Sequence, residues 1–109
     1  MKCQVTFNES YTDFTFTNND CVSHICLSET WMVSQITATN FLTDFNSHKS
    51  CSIVFSDDVK YTGNCTILYC GAGVVRIELV VGDHGDMFFT IPYDICKYEI
   101  GKFINARIK

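Results

Sequence analysis

Two short segments bring cysteine and histidine together. Cys21-Val-Ser-His24-Ile-Cys26 and His48-Lys-Ser-Cys51 each place a thiol and an imidazole three positions apart. Zinc takes about four such ligands in a tetrahedron, commonly as two closely spaced pairs. Cys21 with His24, and His48 with Cys51, are the two pairs on offer. The interval between them is longer than in common zinc fingers, and no CxxC occurs. A chain with seven cysteines and three histidines yields such pairs by composition alone. Buried free thiols and surface imidazoles are the simpler reading. The same abundance weakens a Cys–His nucleophile, which needs its own base and orienting group. No cysteine lies in a glycine-flanked nucleophile context.

Asp83-His84-Gly85-Asp86 also holds groups that move protons. Asp and Gly are what a hairpin tip requires, however. An exposed tip lacks the desolvation that tunes a carboxylate for acid–base work. Gly71-Ala72-Gly73 precedes a strand-like run, so it cannot set a phosphate on a helix N-terminus. P-loop, dinucleotide, zinc-protease, nucleophile-elbow and EF-hand patterns are missing. The residues therefore nominate no catalytic group, no metal ligand and no cofactor, and the chain reads as a non-enzyme.

The elements that carry these residues follow from periodicity. Cys3, Val5 and Phe7 alternate with Gln4 and Thr6, and Phe14 and Phe16 alternate with Thr15 and Thr17, which predicts an N-terminal hairpin. Asn18-Asn19-Asp20 marks a loop. Residues 28–46 predict a central helix, with Ser28 as cap and Leu27 and Met32 as a hydrophobic staple. Trp31, Ala38, Phe41, Leu42 and Phe45 fall on one stripe of that helix, and Asn46-Ser47 ends it.

Residues 50–109 predict an antiparallel meander. Cys51, Ile53 and Phe55 alternate before Ser56-Asp57-Asp58. Lys60 to Cys70 forms a second strand region broken at Gly63-Asn64, and Gly71-Ala72-Gly73 turns the chain. Val75, Ile77, Leu79 and Val81 line one face of the strongest strand, while Val74 and Val80 flank Arg76 and Glu78 on the other. Met87 to Ile91 returns after the Gly82–Asp86 tip. Pro92-Tyr93-Asp94-Ile95 predicts a tight turn before a short strand at Lys97 to Ile100. The stretch SIVFSDDVKYTG…VVRIELVVGDHGDMFFTIPYDICKYEI is similar in layout to SH3-like and Sm-like barrels. That resemblance covers about half the chain and implies a small barrel used as a nucleic-acid or peptide module. The expected fold class is α+β and β-rich: an N-terminal hairpin, one central helix and a C-terminal meander or SH3-like barrel, in a single domain over 1–109.

Composition narrows the function. Apolar residues make up 47% and charged residues 18%, enough to build a packed core. The net charge of −4 is uneven. Residues 1–96 hold four cations against eleven anions; residues 97–109 hold Lys97, Lys102, Arg107 and Lys109 against Glu99. A phosphate-binding protein shows a basic excess, so general nucleic-acid binding is disfavoured. Apolar runs fall short of the ~20 residues that span a bilayer, and the start lacks the apolar segment of a signal peptide. A cytoplasmic protein with reduced thiols is expected. A secreted domain is the alternative, since Asn8-Glu-Ser10 and Asn64-Cys-Thr66 are glycosylation triplets.

Asp57, Asp58, Asp83, Asp86 and Asp94 are the candidate partner-binding residues, as an acidic rim for a cationic surface. The expected activity is that of a small intracellular inhibitor, in the manner of toxin-neutralising immunity proteins or phage anti-defence proteins. It would block a basic protein partner by steric and electrostatic occlusion. Two alternatives are an Sm- or SH3-like module using Lys97–Lys109, and a small Cys- or zinc-dependent enzyme.

Overall fold

In the computed structural model, which describes residues 2–7, 11–28, 32–56, 62–81 and 86–108, the N-terminal alternation forms a sheet. Strand β1 (Lys2–Phe7) pairs antiparallel with β2 (Tyr11–Asn18), with Cys3 opposite Phe16 and Val5 opposite Phe14. Those four side chains are buried. The expected hairpin is joined by a third strand, β3 (Cys21–Ser28), which pairs antiparallel with β2. Asn19 makes the tight β2–β3 turn at φ 56, a left-handed conformation that Asn tolerates. The Cys21–Cys26 segment thus lies in a sheet, not a loop. Its alternation is hard to read because Ser23 and His24 interrupt the apolar positions on both faces.

Helix α1 (Gln35–Asn46) starts seven residues later than Ser28. Ser28 ends β3, and the cap is Ser34, whose extended backbone (φ −68°, ψ 155°) lets Oγ accept the Thr37 N–H at 3.2 Å. Met32 and Val33 form backbone bridges to Ser56 and Ile108 instead of a helical turn. Trp31 lies outside the described residues. Ala38, Phe41 and Phe45 are buried as the stripe predicts, and Leu42 packs beside them. Ser47 closes the helix, and His48 takes φ 59 just beyond it.

The second sheet is the expected meander: β4 (Cys51–Ser56), β5 (Thr62–Gly71), β6 (Val74–Val81) and β7 (Asp86–Pro92), each paired antiparallel with the next. β4 and β7 are its two edges, so the sheet is open and not a closed barrel. Gly63 and Asn64 do not break β5. They pair with Phe55 and Val54 on one side and with Val81 and Val80 on the other. Gly71 sits at φ 87 in a bulge after Tyr69, and Ala72-Gly73, both at positive φ, close the two-residue hairpin.

The C-terminal segment departs most from expectation. Pro92 is not the start of a tight turn but the N-cap of α2 (Tyr93–Asn105), which takes in Lys97 to Ile100. Proline's fixed φ suits a helix start. Tyr93, Cys96, Ile100, Phe103 and Ile104 recur at helical spacing and are all buried. No helix among the described residues is long and apolar enough to cross a membrane.

α2 unites the two sheets. The Phe103 ring meets Phe14 of β2 edge-on at 5.6 Å and Phe55 of β4 at 5.4 Å. A direct stack of Phe16 on Phe89, 3.7 Å between centroids, adds a second sheet-to-sheet contact. Glu99 covers the free edge of β1: its Oε2 accepts the Val5 N–H at 2.7 Å and pairs with Lys102 at 2.9 Å. Beyond α2, the Arg107 carbonyl accepts the Val33 N–H, and its guanidinium donates to the Thr12 hydroxyl.

Phe103→Ala removes the one ring shared by both sheets. It is expected to cost about 3–5 kcal/mol, a large share of a small domain's stability, in urea denaturation. Tyr98→Ala on the same helix, 73% exposed, should stay within about 0.5 kcal/mol. Equal effects from the two would refute the bridging role.

Candidate functional site

The antiparallel order places the β4–β5 and β6–β7 connections at one end of the four-stranded sheet. Asp57, Asp58 and Asp83 lie in those connections, outside the described residues. Asp86 opens β7 at the same end, exposed and opposite Val80. Asp94 is elsewhere. It sits in the first turn of α2, past the far end of β7, roughly 20 Å away at about 3.4 Å per strand residue. There its carboxylate complements the helix dipole and pairs with Lys97 at 3.4 Å. The structure thus separates Asp94 from Asp86, because the whole of β7 runs between them.

The solvent face of the same sheet carries three exposed apolar side chains among the described residues. Val54 (59% exposed), Leu68 (43%) and Phe88 (58%) point outward from β4, β5 and β7. Between them the register sets Asn64, Thr66, Arg76, Glu78 and Thr90. The Arg76 guanidinium lies 4.2 Å over the Phe88 ring and holds it in place. Ser52 and Thr66 hydroxyls bond across β4 and β5 at 3.1 Å. Sequence reasoning saw Val74, Arg76, Glu78 and Val80 on this face but missed Val54, Leu68 and Phe88. The hairpin registers are the signal that adds them.

The basic C-terminal segment is partly engaged by the fold, with Lys97 still half exposed. Lys97 and Lys102 are ion-paired with Asp94 and Glu99, and Arg107 is 3% exposed. A cleft of about 310 Å³ opens between the β2–β3 turn and β7. Among the described residues its lining includes Phe16, Cys21, Phe88 and Ile91.

The proposed ligand pairs are given other surroundings. His48 stacks on Tyr69 at 5.5 Å and meets the Tyr93 ring at a tilt at 4.3 Å, and Tyr69 donates its hydroxyl to the Phe45 carbonyl near the end of α1. Cys21 and His24, three apart on β3, project to opposite faces. His24 instead meets Asp13 of β2, Nδ1 to Oδ1 at 3.3 Å.

The thiols divide by burial. Cys3, Cys65 and Cys96 are buried, while Cys21, Cys26 and Cys70 are exposed. Burial pushes the Cys3 thiol up to about 12, with Cys96 and Glu99 adding to the rise and Lys102 opposing it. Burial likewise raises Cys96 to about 11, against its own backbone hydrogen bond, and Cys51 to about 11, with Asp44 adding to the rise. Cys65 moves in the same direction, chiefly by burial. A thiol held protonated is a poor nucleophile. Comparison of the chain with family models, curated proteins and solved structures gave no match.

At neutral pH a thiol reagent followed by mass spectrometry should modify Cys21, Cys26 and Cys70 quickly, and Cys3, Cys65 and Cys96 only on unfolding. A thiol whose folded value is raised contributes stability that is complete below its ordinary value and lost as pH climbs toward the folded one. For Cys96 that window runs from about 9 to about 11. The melting temperature should be flat across neutral pH and fall above about pH 9. Fast labelling of Cys65 in the folded chain would contradict this arrangement.

Proposed function

We propose that this chain is a protein-binding inhibitor that seats a basic partner against the open face of its four-stranded sheet and blocks it by occlusion. The observation that carries the reading is the outward set of Val54, Leu68 and Phe88, interspersed with Asn64, Thr66, Glu78 and Thr90, with Arg76 stacked on Phe88. Aromatic and arginine side chains mixed with hydrogen-bonding groups are common in protein interfaces. The charge of the chain supports the choice of partner, since residues 1–96 are strongly acidic. Exposed Asp86 marks the end toward which a cationic surface is steered.

Size refines the mechanism. Four strands about 4.8 Å apart, with outward rows about 6.8 Å apart, offer a face of roughly 15 by 20 Å, or about 300 Å². A stable complex takes about 800 Å² from each partner. The partner therefore reaches past the sheet, and the end of β7 that carries Asp86 is the extension that charge favours. Asp94 has no part in this contact. A cytoplasmic site of action, of the immunity or anti-defence kind, goes with this reading. The rival nucleic-acid surface on Lys97–Lys109 has less support, because Lys97 and Lys102 are ion-paired and Arg107 is buried.

The test begins with a partner captured from the native host and titrated against purified protein. Phe88→Asp and Leu68→Asp should each weaken binding by about tenfold or more, and Ile36→Asp, on the exposed face of α1, should not. Association should slow as salt rises. A salt-independent on-rate would remove the electrostatic half of the reading. Normal binding by both sheet variants would remove the docking face.

A further inference from the structure

The outer face of the three-stranded sheet brings together three groups that sequence spacing did not pair. Cys26 of β3 stands directly opposite Asp13 of β2, and His24 is two residues from Cys26, on the same face of its strand. The ligating atoms of Asp13, His24 and Cys26 all lie within 4.8 Å of one another. β2 is the central strand of its sheet, so the carboxylate is fixed from both sides by backbone pairing.

We propose that Asp13, His24 and Cys26 form a binding site for a zinc-class divalent cation. The donor set is one thiolate, one imidazole and one carboxylate, which suits a borderline-soft metal and not magnesium or calcium. Bonds of about 2.0–2.3 Å to a tetrahedral ion put neighbouring ligand atoms about 3.3–3.8 Å apart. His24 Nδ1 and Asp13 Oδ1 are already at 3.3 Å. The Cys26 sulfur closes the remaining gap by a side-chain rotation, which an exposed residue on an edge strand makes freely. The carboxylate fits the role: Asp13 Oδ1 is shut off from solvent and accepts no well-formed hydrogen bond among the described residues, and the group it faces is the His24 imidazole at 3.3 Å. A cation held between carboxylate and imidazole satisfies both. The thiol gives up its proton to the buffer as the metal–sulfur bond forms, so thiolate and carboxylate together balance the charge of the ion.

Three protein ligands leave a fourth position open toward solvent, since His24 and Cys26 are both exposed. This is the open type of zinc site, in which the last position takes water or a donor from another molecule. The site uses the outer face of the other sheet, and it stands or falls apart from the docking face proposed above.

Cobalt(II) alone, titrated into untagged reduced protein, reads the site directly. One equivalent should give a near-ultraviolet thiolate-to-cobalt band and tetrahedral visible bands, both bleached by one equivalent of zinc. Cys26→Ser should abolish the thiolate band, and His24→Ala and Asp13→Asn should each weaken cobalt binding by about tenfold or more. Cys21→Ser and His48→Ala should leave the titration unchanged. Zinc should raise the melting temperature of the parent chain but not of His24→Ala, whose folding is checked by circular dichroism. A thiolate band that survives Cys26→Ser, an equal loss in Cys21→Ser, or no band in the parent chain would overturn the site.

Discussion

The architecture depends on one aromatic contact made twice. Neither sheet can bury its inner face alone: the first offers Cys3, Val5, Phe14 and Phe16, the second Ile53, Phe55, Ile67, Ile77 and their neighbours. Phe103 enters from α2 and touches a ring of each. Edge-to-face packing adds to the area that each ring removes from water. Once that ring is seated, Ile100 and Ile104 are buried with it, and Glu99 is carried to the bare edge of β1. The two sheets are thereby held as layers around one continuous core.

Edges and faces are managed differently in the two sheets. Glu99 occupies the β1 edge, and the bridge from Met32 to Ser56 occupies part of the β4 edge. Such covering removes the bare donors and acceptors through which strands aggregate. The outer face of the four-stranded sheet is left uncovered, with apolar side chains that the core does not need. In the reading proposed above, Phe88 and Val54 are contacts for another molecule. The outer face of the three-stranded sheet is polar instead, and its concentration of Asp13, His24 and Cys26 gives it a chemical character of its own.

Strands with clean alternation were legible in the chain: Cys3 to Phe7, Phe14 to Thr17, Cys51 to Phe55 and Val74 to Val81 all form where the period of two predicts. The stripe of Ala38, Phe41 and Phe45 gave the central helix but not its start, because Ser28 and Ser34 are both acceptable caps. The bridges at Met32 and Val33 choose between them. α2 was legible too, through Tyr93, Cys96, Ile100, Phe103 and Ile104. Pro92 hid it by suggesting a turn, although proline opens a helix equally well. Of the acidic candidates, Asp86 lies at the start of β7 and Asp94 beyond its other end, in the first turn of α2.

The sequence by itself determined which side chain faces inward along most strands and along the central helix, because those periods are set by local backbone geometry. It also determined the charge imbalance and the pool of thiols. Tertiary structure alone decided that Phe14 and Phe55 share Phe103, that Val54, Leu68 and Phe88 lie on one open face, and that His24 looks to Asp13 and Cys26 instead of Cys21. Each of these is a relation between residues on different strands or elements. Register and layer packing set such relations, and no local periodicity encodes them.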